Sequence, residues 1–123
     1  LFLLAVPAMA STESTDATGS YVTLSVSGSG YATIWFECQQ ESDVTRIHGS
    51  IYLEKKTASG WVNVYPDGAS MDWQYDAAGN SLSGTCYYQI STHGEYRASA
   101  VYSVHYAGGG LDIISAYSST STY

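Results

Sequence analysis

The chain predicts an all-β fold, a two-sheet antiparallel β-sandwich of about eight short strands, and three observations carry that expectation. Apolar and polar residues alternate with period two in run after run, no window sustains a helical period, and turn residues interrupt the alternation at spacings of about ten residues. The domain so defined runs from residue 21 to residue 123 of the 123-residue chain.

The elements follow in order. Val22, Leu24 and Val26 alternate with Thr23 and Ser25, and Ser27 to Gly30 ("SGSG") turn the chain into a strand from Tyr31 to Cys38. After the polar "QQESDVTR", a strand from about Ile47 to Lys55 points Ile47, Ile51 and Leu53 inward. "KTASG" reads as a hairpin loop into "WVNVY". At Pro66-Asp67-Gly68 a turn is expected, because proline presets φ and glycine tolerates positive φ. Met71, Trp73 and Tyr75 mark a further strand, and "DAAGN" turns it into Leu82 to Ile90. The stretch "GEYRASAVYSVHY" places Tyr96, Ala98, Ala100, Tyr102 and Val104 on one side. That is the only continuous apolar face the strand offers, so these tyrosines belong to the core, where the two alanines leave room for the facing sheet. "AGGG" leads to a last strand around Ile113 to Thr120.

Residues 1–10, "LFLLAVPAMA", are an uncharged apolar run ending in the small-x-small Ala8-Met9-Ala10 that signal peptidase reads, and are taken as the remnant of a secretory signal. Residues 11–20 lack any hydrophobic period and should form a flexible leader. A secreted, extracellular protein is expected. Eleven acidic residues against four basic ones give a net charge of -7, and Arg46, Lys55, Lys56 and Arg97 are scattered, so neither nucleic acid nor a membrane surface is an expected partner.

Two cysteines in an exported chain suggest a disulfide, Cys38 to Cys86, since both share the parity of apolar neighbours. Such a bridge would add about 4 kcal/mol through loop closure. Two free buried thiols or a metal pair are the alternative.

"HGEYRAS" resembles the start of strand F in immunoglobulin-like domains, where a tyrosine just after a turn glycine bonds back to the backbone as a tyrosine corner; Tyr96 matches that residue. "YRASAV" followed by a glycine-rich turn is similar to fibronectin type III modules. The second cysteine of the immunoglobulin motif would fall at Ala98, whereas Cys86 stands one strand earlier. "SGWVNVYPDG", "GTCYYQI", "GEYRA" and "AGGGLDIISAYSST" resemble small secreted proteins of Gram-positive bacteria that have no assigned function. The resemblance implies a β-sandwich and brings no catalytic residues. "YDAAGN" is similar to the tyrosine-aspartate repeat of large secreted bacterial proteins, and a hairpin turn accounts for it equally.

His48, His93 and His105 are the bases available to a hydrolytic triad, and none sits in a G-x-S-x-G or H-E-x-x-H motif. Glu37, Glu54 and Glu95 fall at outward parity, the ordinary place for a charge, rather than as a glycosidase pair. Asp67, Asp72, Asp76 and Asn80 cluster around two turns as a weak calcium candidate without the spacing of a calcium loop, and no cofactor is expected. The sharpest feature is aromatic: Tyr31, Trp35, Tyr52 and Tyr87 lie at outward parity. If their strands are neighbours, the rings form a platform of the kind that stacks on sugars or anchors a protein. The expected function is therefore non-enzymatic binding of an extracellular glycan or surface protein. Self-assembly into filaments or a matrix through open sheet edges is the alternative.

Overall fold

The computed structural model describes residues 10–12 and 19–123, which form ten strands and no helix. They are β1 (Ala10–Thr12), β2 (Ser20–Val26), β3 (Tyr31–Gln39), β4 (Val44–Thr57), β5 (Gly60–Tyr65), β6 (Gln74–Ala78), β7 (Ser81–Gln89), β8 (Glu95–Tyr106), β9 (Leu111–Ser118) and β10 (Ser121–Thr122). The expected all-β sandwich is present, with β2 to β9 as its eight main strands. The apolar run and the polar leader lie largely outside the described residues.

A three-stranded sheet, β2-β3-β7, packs against a seven-stranded one in which β1-β9-β8-β4 run side by side. Along the far edge of β4, β5 and β6 pair one after the other, and β10 extends the pairing on β8. Every pairing is antiparallel, and the order is compatible with an immunoglobulin-like sandwich. Tyr96 completes the expected corner, since its hydroxyl donates to the Thr92 carbonyl at 2.5 Å.

Between the sheets lies one core. The small sheet contributes Val22, Leu24, Ala32, Ile34, Phe36 and Leu82, and the large sheet Ile47, Ile51, Leu53, Ala98, Ala100, Val104 and Ala116. Tyr96 and Tyr102 are fully buried with them, as the alternation in β8 predicts. A buried phenol must place its hydroxyl, and Tyr102 does so across the core, donating to the Tyr21 carbonyl of β2 at 3.0 Å. Glycines at inward positions accommodate the larger rings: a Cβ on Gly84 would come within 2.7 Å of Phe36, and one on Gly49 within 3.3 Å of Tyr102.

Three local expectations need correction. β4 begins at Val44 rather than near Ile47, because Val44 is buried although Asp43, Thr45 and Arg46 around it are polar. Met71 lies in the loop before the strand, 72% exposed, and the strand starts only at Gln74. "DAAGN" makes no hairpin: β6 pairs with β4 and β7 with β3, so Gly79 (φ 97°) and Asn80 carry the chain from one sheet to the other. The Asn80 side chain donates to the Gln40 carbonyl, and the Gly79 amide to that of Thr45, which pins the crossing.

Gly84→Ala should cost about 1–3 kcal/mol, because the Phe36 ring it would strike is itself held against Tyr75 at 4.8 Å. Gly68→Ala meets nothing and should change stability by less than about 0.5 kcal/mol; urea unfolding of both variants checks the contrast. Burial, with the Cys86 thiol adding to it at Tyr75 and Cys38 at Tyr102, pushes both phenols far above the ordinary tyrosine range. The stability these raised values contribute is full below about pH 10 and is lost as pH rises toward the folded-state values. Ultraviolet titration should accordingly show a class of tyrosines that ionises only as the fold is lost. Ionisation of all twelve tyrosines with circular dichroism unchanged would contradict this.

Candidate functional site

In the small sheet the side chains alternate between core and solvent, so one whole face of β2-β3-β7 looks outward. The register places Tyr21, Thr23 and Ser25 of β2 beside Glu37, Trp35 and Thr33 of β3, which in turn face Ser83, Thr85 and Tyr87 of β7. Tyr31 and Gln89 complete the last row. This surface is flat, rich in hydroxyls, and carries Glu37 as its single charged residue.

Two aromatic groups stand on it. Tyr31 and Tyr87, 45% and 56% exposed, stack with ring centroids 5.9 Å apart and planes 16° from parallel. Four residues along β3 from Tyr31, about 13 Å at the strand rise, Trp35 is 40% exposed. Its indole N–H donates to the Tyr21 hydroxyl at 3.2 Å, and that hydroxyl donates to Glu37 Oε1 at 2.9 Å. The bond from Trp35 acts to lower the Tyr21 pKa, but burial and the Glu37 carboxylate outweigh it and hold the hydroxyl above the usual tyrosine range. The proton therefore stays on Tyr21, and the carboxylate is held in a fixed place beside the indole.

Of the four aromatic residues expected on a platform, the structure brings Tyr31, Trp35 and Tyr87 together. Tyr52 is not among them, because β4 belongs to the large sheet and Tyr52 faces out from the opposite side of the molecule. Parity says which residues point outward but not from which sheet. Tyr21 was missed at the sequence level, although its parity with Thr23 was the available signal.

The outer face of the large sheet has a different character. All four basic residues sit on β4 and β8, each with a partner, and all but Lys55, which has the inward parity of Leu53 and lies over the Tyr96 ring, belong to this face. Arg46 makes a two-pronged contact with Asp76 at 3.1 and 3.2 Å, Lys56 approaches Glu95, and Lys55 donates to Thr92. Arg97 meets Glu54 at 2.6 Å with its guanidinium stacked between Trp61 and Tyr117. Glu37 lies on the other sheet from Glu54 and Glu95, so it cannot face either across a bound sugar. Ser103, His48 and Asp76 stand opposite one another across β8, β4 and β6, the residue types of a hydrolytic triad. Yet His48 Nε2, the nitrogen a serine would need, is taken by Gln74 Oε1 at 2.7 Å.

The acidic turn residues are also dispersed in their contacts. Asp76 is held by Arg46, whose hydrogen bond draws its pKa below the carboxylate range, Asp72 accepts from Tyr65, and Asp67 accepts from the Ala69 amide. Asn80 serves the inter-sheet crossing. Among the described residues no three His, Cys, Asp or Glu side chains are grouped to hold a metal.

Cys38 and Cys86 do not form the expected disulfide with each other, and both side chains are buried. They do share the inward face of adjacent strands, but Cys38 pairs with Leu82 and Cys86 with Ile34. The four-residue offset separates them by about 13 Å along the strands, whereas a bridge needs Cα atoms within about 7 Å. Instead Cys38 accepts from Ser20 at 3.3 Å, and Cys86 lies 3.1 Å from the Tyr75 hydroxyl. Burial raises the Cys86 thiol, so it is a poor nucleophile in the folded chain.

Compared with known proteins, the chain matches no family model and no curated sequence.

Two thiols should therefore be alkylated on denaturation without any reductant, and almost none in the native protein, as read by intact mass. A mass two hydrogen atoms lighter that fails to take up the label would restore the bridge.

Proposed function

We propose that this chain is a secreted, non-enzymatic binding module that takes an extracellular glycan on the outer face of β2-β3-β7. The observation that carries the reading is the combination on one sheet face of exposed, near-parallel rings with a fixed carboxylate. Flat rings stack on the apolar face of a sugar at little entropic cost, and ordered acceptors such as Glu37, with the threonine and serine hydroxyls, meet its hydroxyl groups. A protein surface could use the same rings as anchors.

The two aromatic groups, about 13 Å apart, are spanned by an oligosaccharide and not by a single sugar ring. No cation stands on this face, so the reading favours neutral or amino-bearing glycans over acidic ones. Export is supported by the apolar run ending at Ala8-Met9-Ala10 and by the low content of charge. A kinship with immunoglobulin-like secreted modules is supported by the strand order and by the Tyr96 corner.

Trp73 is buried and Trp61 is covered by Arg97, which leaves Trp35 as the exposed indole to report on the site. Titration with neutral, amino-bearing and acidic oligosaccharides should give a saturable fluorescence change for the first two. Trp35→Ala should weaken binding at least about tenfold, or 1.4 kcal/mol, with circular dichroism unchanged, and Tyr87→Ala should weaken it to a lesser extent. Binding that survives both substitutions, or a preference for acidic sugars, would remove the site from this face.

A further inference from the structure

The free edge of β7 points to a second property, independent of any glycan. Hydrogen bonds continuing the ladder fix which groups face outward: the Ile90 amide donates to the Gly30 carbonyl and the Gln40 amide to that of Asn80. Even-numbered residues of β3 thus exchange bonds with even-numbered residues of β7. The amides and carbonyls of Ser81, Ser83, Thr85, Tyr87 and Gln89 consequently point away from β3. Among the described residues, no strand pairs with that side of β7 and no backbone hydrogen bond reaches those groups.

Sheet edges are normally blunted by charge, proline, a bulge or a covering segment. The other edges show such devices or are partly covered: on the far side of the small sheet, Ser121 beside β2 donates to the outward Leu24 carbonyl. In β5 the register slips opposite Leu53 and Glu54, and the strand runs into Pro66; β6 is five residues long with Asp76 at its centre. The outer side of β9 is partly taken by β1 and bears Asp112. β7 has nine residues without proline, bulge, acid or base.

We propose that the β7 edge pairs with the β7 edge of a second copy of this chain, antiparallel about a two-fold axis. Antiparallel pairing of a strand with itself is self-complementary, each outward amide meeting an outward carbonyl of the partner, and it closes after two copies. Charge favours this place above others. At -7 the chains repel one another, and β7 is an edge where two copies meet without bringing carboxylates face to face. The nearest acid on that surface, Glu37, stands one strand back and is tied to Tyr21. The product is a continuous six-stranded sheet in which Tyr31 and Tyr87 of both copies flank the seam. An interface of this size is small, so association is weak and depends on concentration.

Sedimentation velocity over a concentration series up to roughly millimolar tests the proposal. The expected result is a monomer–dimer equilibrium that Ser83→Pro weakens at least about tenfold, since the amide it removes is not used by β3. Because that variant could lose its fold, Thr85→Lys provides a second probe: it leaves the backbone intact and, at the centre of the strand, places like charges directly opposite each other when β7 pairs along its full length. Val62→Lys on the β5 edge should leave the equilibrium unchanged. A wild-type chain that stays monomeric, a dimer that persists in Thr85→Lys, a dimer lost in Val62→Lys, or growth beyond two copies would each overturn it.

Discussion

One hydrogen bond joins the interior of this molecule to its outward face. Tyr102 is wholly buried, and its hydroxyl has to find an acceptor in a place without water. It finds the Tyr21 carbonyl, so a side chain of the large sheet grips the backbone of the small one. The side chain of that same Tyr21 stands outside, between Trp35 and Glu37. The position of the aromatic surface is therefore set by core packing, and Gly49 contributes by leaving room beneath the Tyr102 ring.

The two outer faces divide the polar chemistry between them. On the large sheet Arg46, Lys56 and Arg97 are paired with carboxylates, and the thinner sheet holds aromatic and hydroxyl groups with one acid. Such a division leaves the large-sheet face largely satisfied by its own contacts. Arg97 shows why: a guanidinium between two rings with a carboxylate at its edge has little left to offer a ligand. The small-sheet face keeps its rings open to solvent.

Period-two alternation made the core legible from the chain alone. It assigned Tyr96, Ala98, Ala100, Tyr102 and Val104 inward and Tyr31, Trp35 and Tyr87 outward, because a pleated strand has only two sides. What alternation does not encode is which strands are neighbours and how far one slides along another. Tyr52 and the cysteine pair fail for these two reasons: the first lies on the wrong sheet, and the second lies on the right faces at the wrong heights. The crossing at Gly79 and Asn80 has the same origin, since a glycine-asparagine pair reads as a hairpin when the partner strands are unknown.

The pairing of β3 with β7 has a consequence for how the chain reaches its fold. Ile34 and Cys86 meet across that ladder although about fifty residues separate them, while β2 and β3 are joined by a tight local turn. Contacts between such distant segments form slowly, because the intervening chain must first give up its freedom. The β2-β3 hairpin can thus exist before β7 arrives, with Ile34, Phe36 and Leu24 uncovered on one side and Trp35 on the other. During that interval the nascent sheet is sticky on both surfaces, and the order in which β7 and β8 dock decides how long the chain is exposed to misassembly.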